Sequence, residues 1–135
     1  MPAELPSLVS LFLCDELLQD ERTGKTHVIG LFDTIRSRSF PHRQRRVGVF
    51  AGLTGAEGTF SGLVKCLGPD GVMAFSTRPR KPKLSRPNRV LRVFFRILFA
   101  PFRRPGTYRM QFLCEDQLLT ERPLLVVSSR GNGDV

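Results

Sequence analysis

The sequence predicts an all-β protein, an antiparallel sandwich or barrel. Two observations lead there. Short segments rich in Val, Ile, Leu and Phe recur along the chain between Gly, Pro and Asp turn signals, the pattern of strands joined by tight turns. At 135 residues with 41% hydrophobic content, the chain suits one domain with a single buried core rather than a disordered polymer. With no Trp and one Tyr, the 11 Phe must carry the aromatic packing. No internal repeat is evident.

The elements follow in order. Residues 8–18, LVSLFLCDELL, are apolar and open the sheet. Residues 25–32 pair back onto them across the polar turn QDERTG, with Gly24 supplying a positive φ. This turn contains Thr-Gly-Lys-Thr, the tail of a phosphate-binding loop. That loop needs a glycine five residues before Gly24, where Gln19 stands, and a helix after it, where Val28-Ile29-Gly30-Leu31-Phe32 reads as a strand. Asp20 and Glu21 would also repel phosphates, so a hairpin is the reading. RVGVFAGL (46–53) alternates as a strand. Residues 58–78 form a hairpin about Gly68-Pro69-Asp70-Gly71, where Pro sets φ and Gly accepts the left-handed position. RPRKPKLSRPNR (78–89) is a basic loop whose prolines keep it extended, exposed and mobile.

RVLRVFFRILFAPFRR (89–104) fits two periods. As a helix it is basic and amphipathic, suited to an anionic membrane surface. As a strand it faces the core through Leu91, Val93, Phe95, Ile97 and Phe99, with Arg92 and Arg96 on the other face beside Phe94 and Leu98. Its Val, Ile and Phe content and the bounding prolines favour the strand. Residues 106–127 make a last hairpin, turning at Glu115-Asp116-Gln117. A single domain over 1–128 is expected, with a frayed tail at 129–135.

No uninterrupted apolar run is long enough for a transmembrane helix. The opening MPAELPSLVSLFLCDE has Glu4 and no base ahead of its apolar stretch, which argues against a lipoprotein leader and for a cytoplasmic protein. Cys14, Cys66 and Cys114 are widely spaced, as are His27 and His42, so nothing has the local spacing of a metal site. The cysteines read as reduced, buried thiols. Acidic residues scatter singly or as turn pairs. The expectation is a protein that is not an enzyme and needs no cofactor or metal.

Cys14-Asp15, Thr23-Gly24-Lys25, Ile29-Gly30-Leu31-Phe32-Asp33, Phe40-Pro41 and the run from Phe99 through Pro105-Gly106-Thr107-Tyr108 form a recognisable frame. It resembles a widespread bacterial family of small proteins classed only as a domain of unknown function, and the likeness spans residues 12 to 127. The resemblance implies an immunoglobulin-like β-sandwich of about 7–8 strands and brings no catalytic residues. It also implies a tyrosine corner: Gly106 in the turn and Tyr108 bonding back to the backbone. Asp15 and Asp33 read as strand-end or turn caps. The chain departs from the family in the strongly basic character of its 78–104 stretch.

Charge is the remaining signal. Residues 71–114 hold eleven Lys or Arg and no acid; the rest of the chain has ten bases against twelve acids, which together give the net +9. Candidate contact residues are Arg78, Arg80, Lys81, Lys83, Arg86, Arg89, Arg92 and Arg96, with Arg43, Arg45 and Arg46 in a second cluster that begins at Arg36 and Arg38. Two functions stand. One is a binding or assembly module that contacts a protein partner or a second copy of itself, since Arg and aromatics anchor interfaces and exposed strand edges accept strands. The other is contact with nucleic acid or another polyanion through segments 36–46 and 78–104. No recognised nucleic-acid motif accompanies the charge.

Overall fold

The computed structural model describes residues 4–129 and contains β1 (Ser7–Cys14), β2 (Glu16–Gln19), β3 (Thr26–Ile29), β4 (Thr34–Ser37), β5 (His42–Thr54) and β6 (Gly58–Thr59). After these come β7 (Gly62–Leu67), β8 (Met73–Ser76), β9 (Lys83–Leu84), β10 (Leu91–Phe102), β11 (Gly106–Cys114) and β12 (Gln117–Ser128). A three-stranded sheet, β1-β5-β10, packs against a five-stranded sheet, β4-β12-β11-β7-β8. All pairings in these sheets are antiparallel except β12 with β4. The chain is therefore an immunoglobulin-like β-sandwich. The described residues form twelve strands, more than the expected 7–8; the excess lies in two small ladders, β2-β3 and β6-β9, outside the two packed sheets.

Alternation along the strands builds the core. From the smaller sheet Leu13, Val47, Val49, Ala51, Leu53 and Phe95 point inward and are buried. Val64, Met110, Phe112, Leu124 and Val126 meet them from the larger sheet, with Phe95 edge-on to Phe112 at 6.1 Å. Cys14, Cys66 and Cys114 are buried free thiols.

Local turn chemistry places the hairpins. Gly24 takes φ +72° in open space, and Asp20 Oδ1 accepts the Arg22 N–H at 2.8 Å, so the Thr-Gly-Lys-Thr run is a plain turn between β2 and β3. β7 and β8 pair across the Gly68–Gly71 turn. The last turn is tighter than expected: Glu115 (φ 50°) and Asp116 (φ 64°) make a two-residue connection, and Gln117 already pairs with Cys114. Asp33 Oδ1 accepts the Thr34 hydroxyl at 2.9 Å at the start of β4. The tyrosine corner is present. Tyr108 is 2% exposed, and its hydroxyl donates to the Arg104 carbonyl at 2.7 Å. Gly106 has φ +150°, and a Cβ there would stand 2.9 Å from Pro69 Cβ.

Residues 90–99 are extended and helix-free, but the facing differs from expectation at one position. Val93 and Phe95 are buried, Leu91 and Ile97 half-buried, whereas Phe99 is 55% exposed. Phe99 takes φ 54°, and the ladder passes from Leu98↔Arg46 to Ala100↔Gln44 without it. That left-handed residue advances the alternation by one place, so Ala100 and Phe102 turn inward instead. Pro101, which lacks an N–H, is accommodated because β10 is an edge strand.

The 78–89 segment is exposed but not a free loop. Lys83 and Leu84 pair with Thr59 and Gly58, Arg80 and Gly62 exchange two backbone bonds of 2.7 Å, and the Pro82 and Pro87 carbonyls accept N–H groups of Phe60 and Gly55. Prolines remove donors, not acceptors, and Leu84 is buried at 2% exposure. One leucine and four carbonyl or amide links thus strap the segment down. Ser129, expected in the frayed tail, donates to the Ser37 carbonyl at 2.8 Å; residues 130–135 lie outside the described residues. Among the described residues, no helix is long and apolar enough to cross a membrane.

Candidate binding surface

The outer face of the three-stranded sheet is unusually apolar. The register sets Phe12, Phe50 and Phe94 side by side across three strands, and Phe12 stacks on Phe50 at 5.9 Å. Neighbouring rows are flattened by glycine: Cys14–Gly48–Arg96 on one side, Ser10–Gly52–Arg92 on the other. At Gly48 a Cβ would come within 2.5 Å of Phe94 Cζ, so the Phe94 ring lies directly on the backbone. Phe12, Val9, Leu98 and Phe99 are exposed, whereas Phe94 is half-buried and Phe50 is buried beneath its neighbours in the row.

Arginines rim this face. The Arg96 guanidinium sits 5.4 Å above the Phe94 ring and bonds Glu16, whose other oxygen lies 3.3 Å from Arg46. The hydrogen bond from Arg96, then that from the Leu17 N–H, hold the Glu16 carboxyl below its usual range, with Arg96 and Arg46 charges adding to them. Glu16 thus neutralises part of the rim and joins the β2 hairpin to β5 and β10.

The two edges of this sheet differ. On β1, the Leu11 carbonyl accepts Arg122 Nη1 at 2.5 Å and the Leu13 carbonyl accepts the Phe32 N–H at 3.0 Å. On β10, Arg80 Nη1 reaches the Phe94 carbonyl at 2.6 Å. Because that carbonyl points away from β5, antiparallel alternation directs the N–H and C=O groups of Arg92, Phe94, Arg96 and Leu98 to the open edge. Along this edge runs a groove of about 460 Å³ between Phe94–Leu98 and Ser76–Arg80, with Arg78, Arg80 and Arg96 in its walls.

All eleven candidate basic residues are exposed, but they are not gathered at one end. Arg43, Arg45 and Arg46 occupy the start of β5, while Pro87 and Arg89 bond Gly55 and Thr54 at its far end. At about 3.3 Å per residue the two groups stand roughly 26–36 Å apart. Lys81, Lys83 and Arg86 follow the strap toward that far end. Arg92 and Arg96 lie between the groups on the outer face; Arg78, Arg80 and Arg96 meet at the groove. A second concavity holds Arg43, Arg103 and Arg104 above Tyr108, where Asp70 bridges Arg104 at 3.1 Å. Gly24, Gly106 and Tyr108 serve the fold. Sequence reasoning missed the Phe12–Phe50–Phe94 row and Glu16; the signal available was Gly48-x-Phe50-x-Gly52 at strand period.

Burial keeps the thiols protonated, pushing Cys66 up to about 12 and Cys114 up to about 11. Among the described residues, no group of three or more His, Cys, Asp or Glu is placed to hold a metal ion.

Fold and surface define a small two-sheet sandwich with one arginine-rimmed apolar face and an open strand edge. The chain belongs to a family of unknown function, DUF6941, which matches residues 9–127. No curated protein matches it. Among solved structures it is similar to the CARDB domain of a Pyrococcus furiosus protein, crystallised in complex with di-metal ions. The two share 12% identity over 94% of this chain and 93% of that one, with a TM-score of 0.42.

Proposed function

We propose that this domain is a non-catalytic binding or assembly module that engages a protein through the outer face of the three-stranded sheet. The observation that carries this reading is the exposed Phe12–Leu98 face rimmed by Arg46, Arg92 and Arg96. Exposed apolar surface of this kind marks interaction sites, and aromatic and arginine side chains anchor them. A non-catalytic role is supported by the thiols, which burial holds as neutral, unreactive groups. A second reading, contact with nucleic acid or another polyanion through 36–46 and 78–104, is favoured by eleven exposed bases without an acid in residues 71–114.

A photo-crosslinking residue at Phe12, with Thr107 on the outer face of the other sheet as control, tests the choice in the cells that make the protein. A protein adduct at position 12 that survives nuclease and high salt is expected, with none at 107. Light scattering of the purified chain then tells a second copy from a different partner. Adducts that disappear with nuclease favour the polyanion reading, and equal adducts at both positions refute the assigned face.

A further inference from the structure

We propose that the open edge of β10 accepts an acidic, extended peptide segment as an added antiparallel strand, seated in the groove between Phe94–Leu98 and Ser76–Arg80. The inference rests on the module reading and names its ligand.

Three observations carry it. The edge offers alternating N–H and C=O groups on Arg92, Phe94, Arg96 and Leu98, and among the described residues only the Phe94 carbonyl has a short partner there, the Arg80 guanidinium. A side chain thus stands where a neighbouring strand's N–H would be. The groove is cationic: Arg78, Arg80 and Arg96 line it, Arg92 stands two residues before Phe94 on the same strand, and Glu16, the carboxylate that meets Arg96, is shared with Arg46. Phe95 and Ile97 also line the groove, and the half-buried Ile97 gives it an apolar floor.

These features select among occupants. Phosphates accept hydrogen bonds but do not donate them, so a nucleic-acid backbone leaves the edge carbonyls unpaired; a peptide satisfies both kinds of group. A second copy pairing through β10 is disfavoured by like charges. Centred on Phe94, an antiparallel copy sets Arg92 opposite Arg96; centred on Arg96, it sets that arginine opposite itself. An acidic strand reverses that repulsion, and its carboxylates can take up the displaced Arg80. The register also says which peptide residues do the bonding. Residues opposite Arg92, Phe94 and Arg96 form hydrogen-bonded pairs and share their outer face. The acidic residues therefore donate the main-chain bonds, and the alternate residues turn toward the groove floor.

A fluorescent octapeptide alternating Glu and Val, titrated into the full chain by anisotropy, tests this. It should bind, and weaken as salt rises. N-methylation of the Glu residues should weaken it at least about tenfold, while N-methylation of the Val residues should change it less than about threefold. Arg78→Ser with Arg92→Ser, both exposed, should cost about tenfold, and Arg103→Ser, beyond the end of the groove, less than about twofold. Strand addition is overturned if the peptide does not bind, if both methylation patterns act alike, or if oligothymidylate of equal charge binds as tightly. Peptide failure alongside nuclease-resistant adducts at Phe12 leaves the module reading standing and removes only the groove; failure of both removes both.

Discussion

Removing one oxygen from the tyrosine corner isolates its contribution. In Tyr108→Phe the ring stays edge-on to Phe102, now 5.0 Å away, and the core keeps its volume. What is lost is the hydroxyl that donates to the Arg104 carbonyl at 2.7 Å and more weakly accepts the Arg104 N–H at 3.4 Å. That carbonyl and amide close the turn entering β11, beside the Asp70–Arg104 ion pair. One good buried bond with its carbonyl left unpaired costs about 1–2 kcal/mol. Unfolding entropy for 135 residues, at about 2.1 cal/mol/K each, is about 0.28 kcal/mol/K. The expected loss in Tm is therefore about 4–7 °C, measured by calorimetry, with the fold unchanged by circular dichroism. A loss below about 1 °C would refute the corner as a stabilising device.

Other perturbations read other parts of the structure. Gly48→Ala places a Cβ against Phe94 Cζ and 2.9 Å from the Cys14 carbonyl; it should lower the urea midpoint by the equivalent of about 1–3 kcal/mol, whereas an unchanged midpoint means the Phe94 ring does not lie on the strand. Because Glu16 titrates below its ordinary 4.5, its stabilising contribution is present above that pH and is lost as pH falls through the lowered value. The Tm difference between wild type and Glu16→Gln should accordingly be steady near neutrality and vanish in acid; a difference that grows on acidification contradicts the arginine–glutamate link. Cys66, pushed up to about 12, should resist iodoacetamide at pH 8 in the folded chain and react once urea unfolds it; mass spectrometry showing rapid native alkylation would contradict its burial.

Hairpins were legible in the sequence because their causes are local. Gly68-Pro69-Asp70-Gly71 and Glu115-Asp116 specify turns whatever lies around them, and Pro105-Gly106 with Tyr108 specifies a corner. What the sequence hid is non-local. β1 pairs with β5 across an intervening hairpin and β4, and no local signal announces that. The strap over 78–89 is held by proline carbonyls, which leave no trace in hydrophobic periodicity. Phe99 broke the alternation through its own backbone, and β-period counting cannot see a single left-handed residue. The apolar outer face was obscured for a related reason: Val47, Val49 and Ala51 point in while Phe50 points out, so both faces of β5 look like core.

The Arg80–Phe94 contact bears on the hazard that a free strand edge carries. A strand edge left bare is a template for aggregation, and proteins usually blunt it with charge or cover. Here one flexible arginine supplies both: it occupies a carbonyl and leaves a cation beside the edge. Such a guard is reversible and selective by chemistry, for a basic or neutral strand gains nothing that compensates Arg80 for its lost carbonyl. Under the strand-addition proposal, the same side chain that guards the edge also sets the charge a visiting strand must carry.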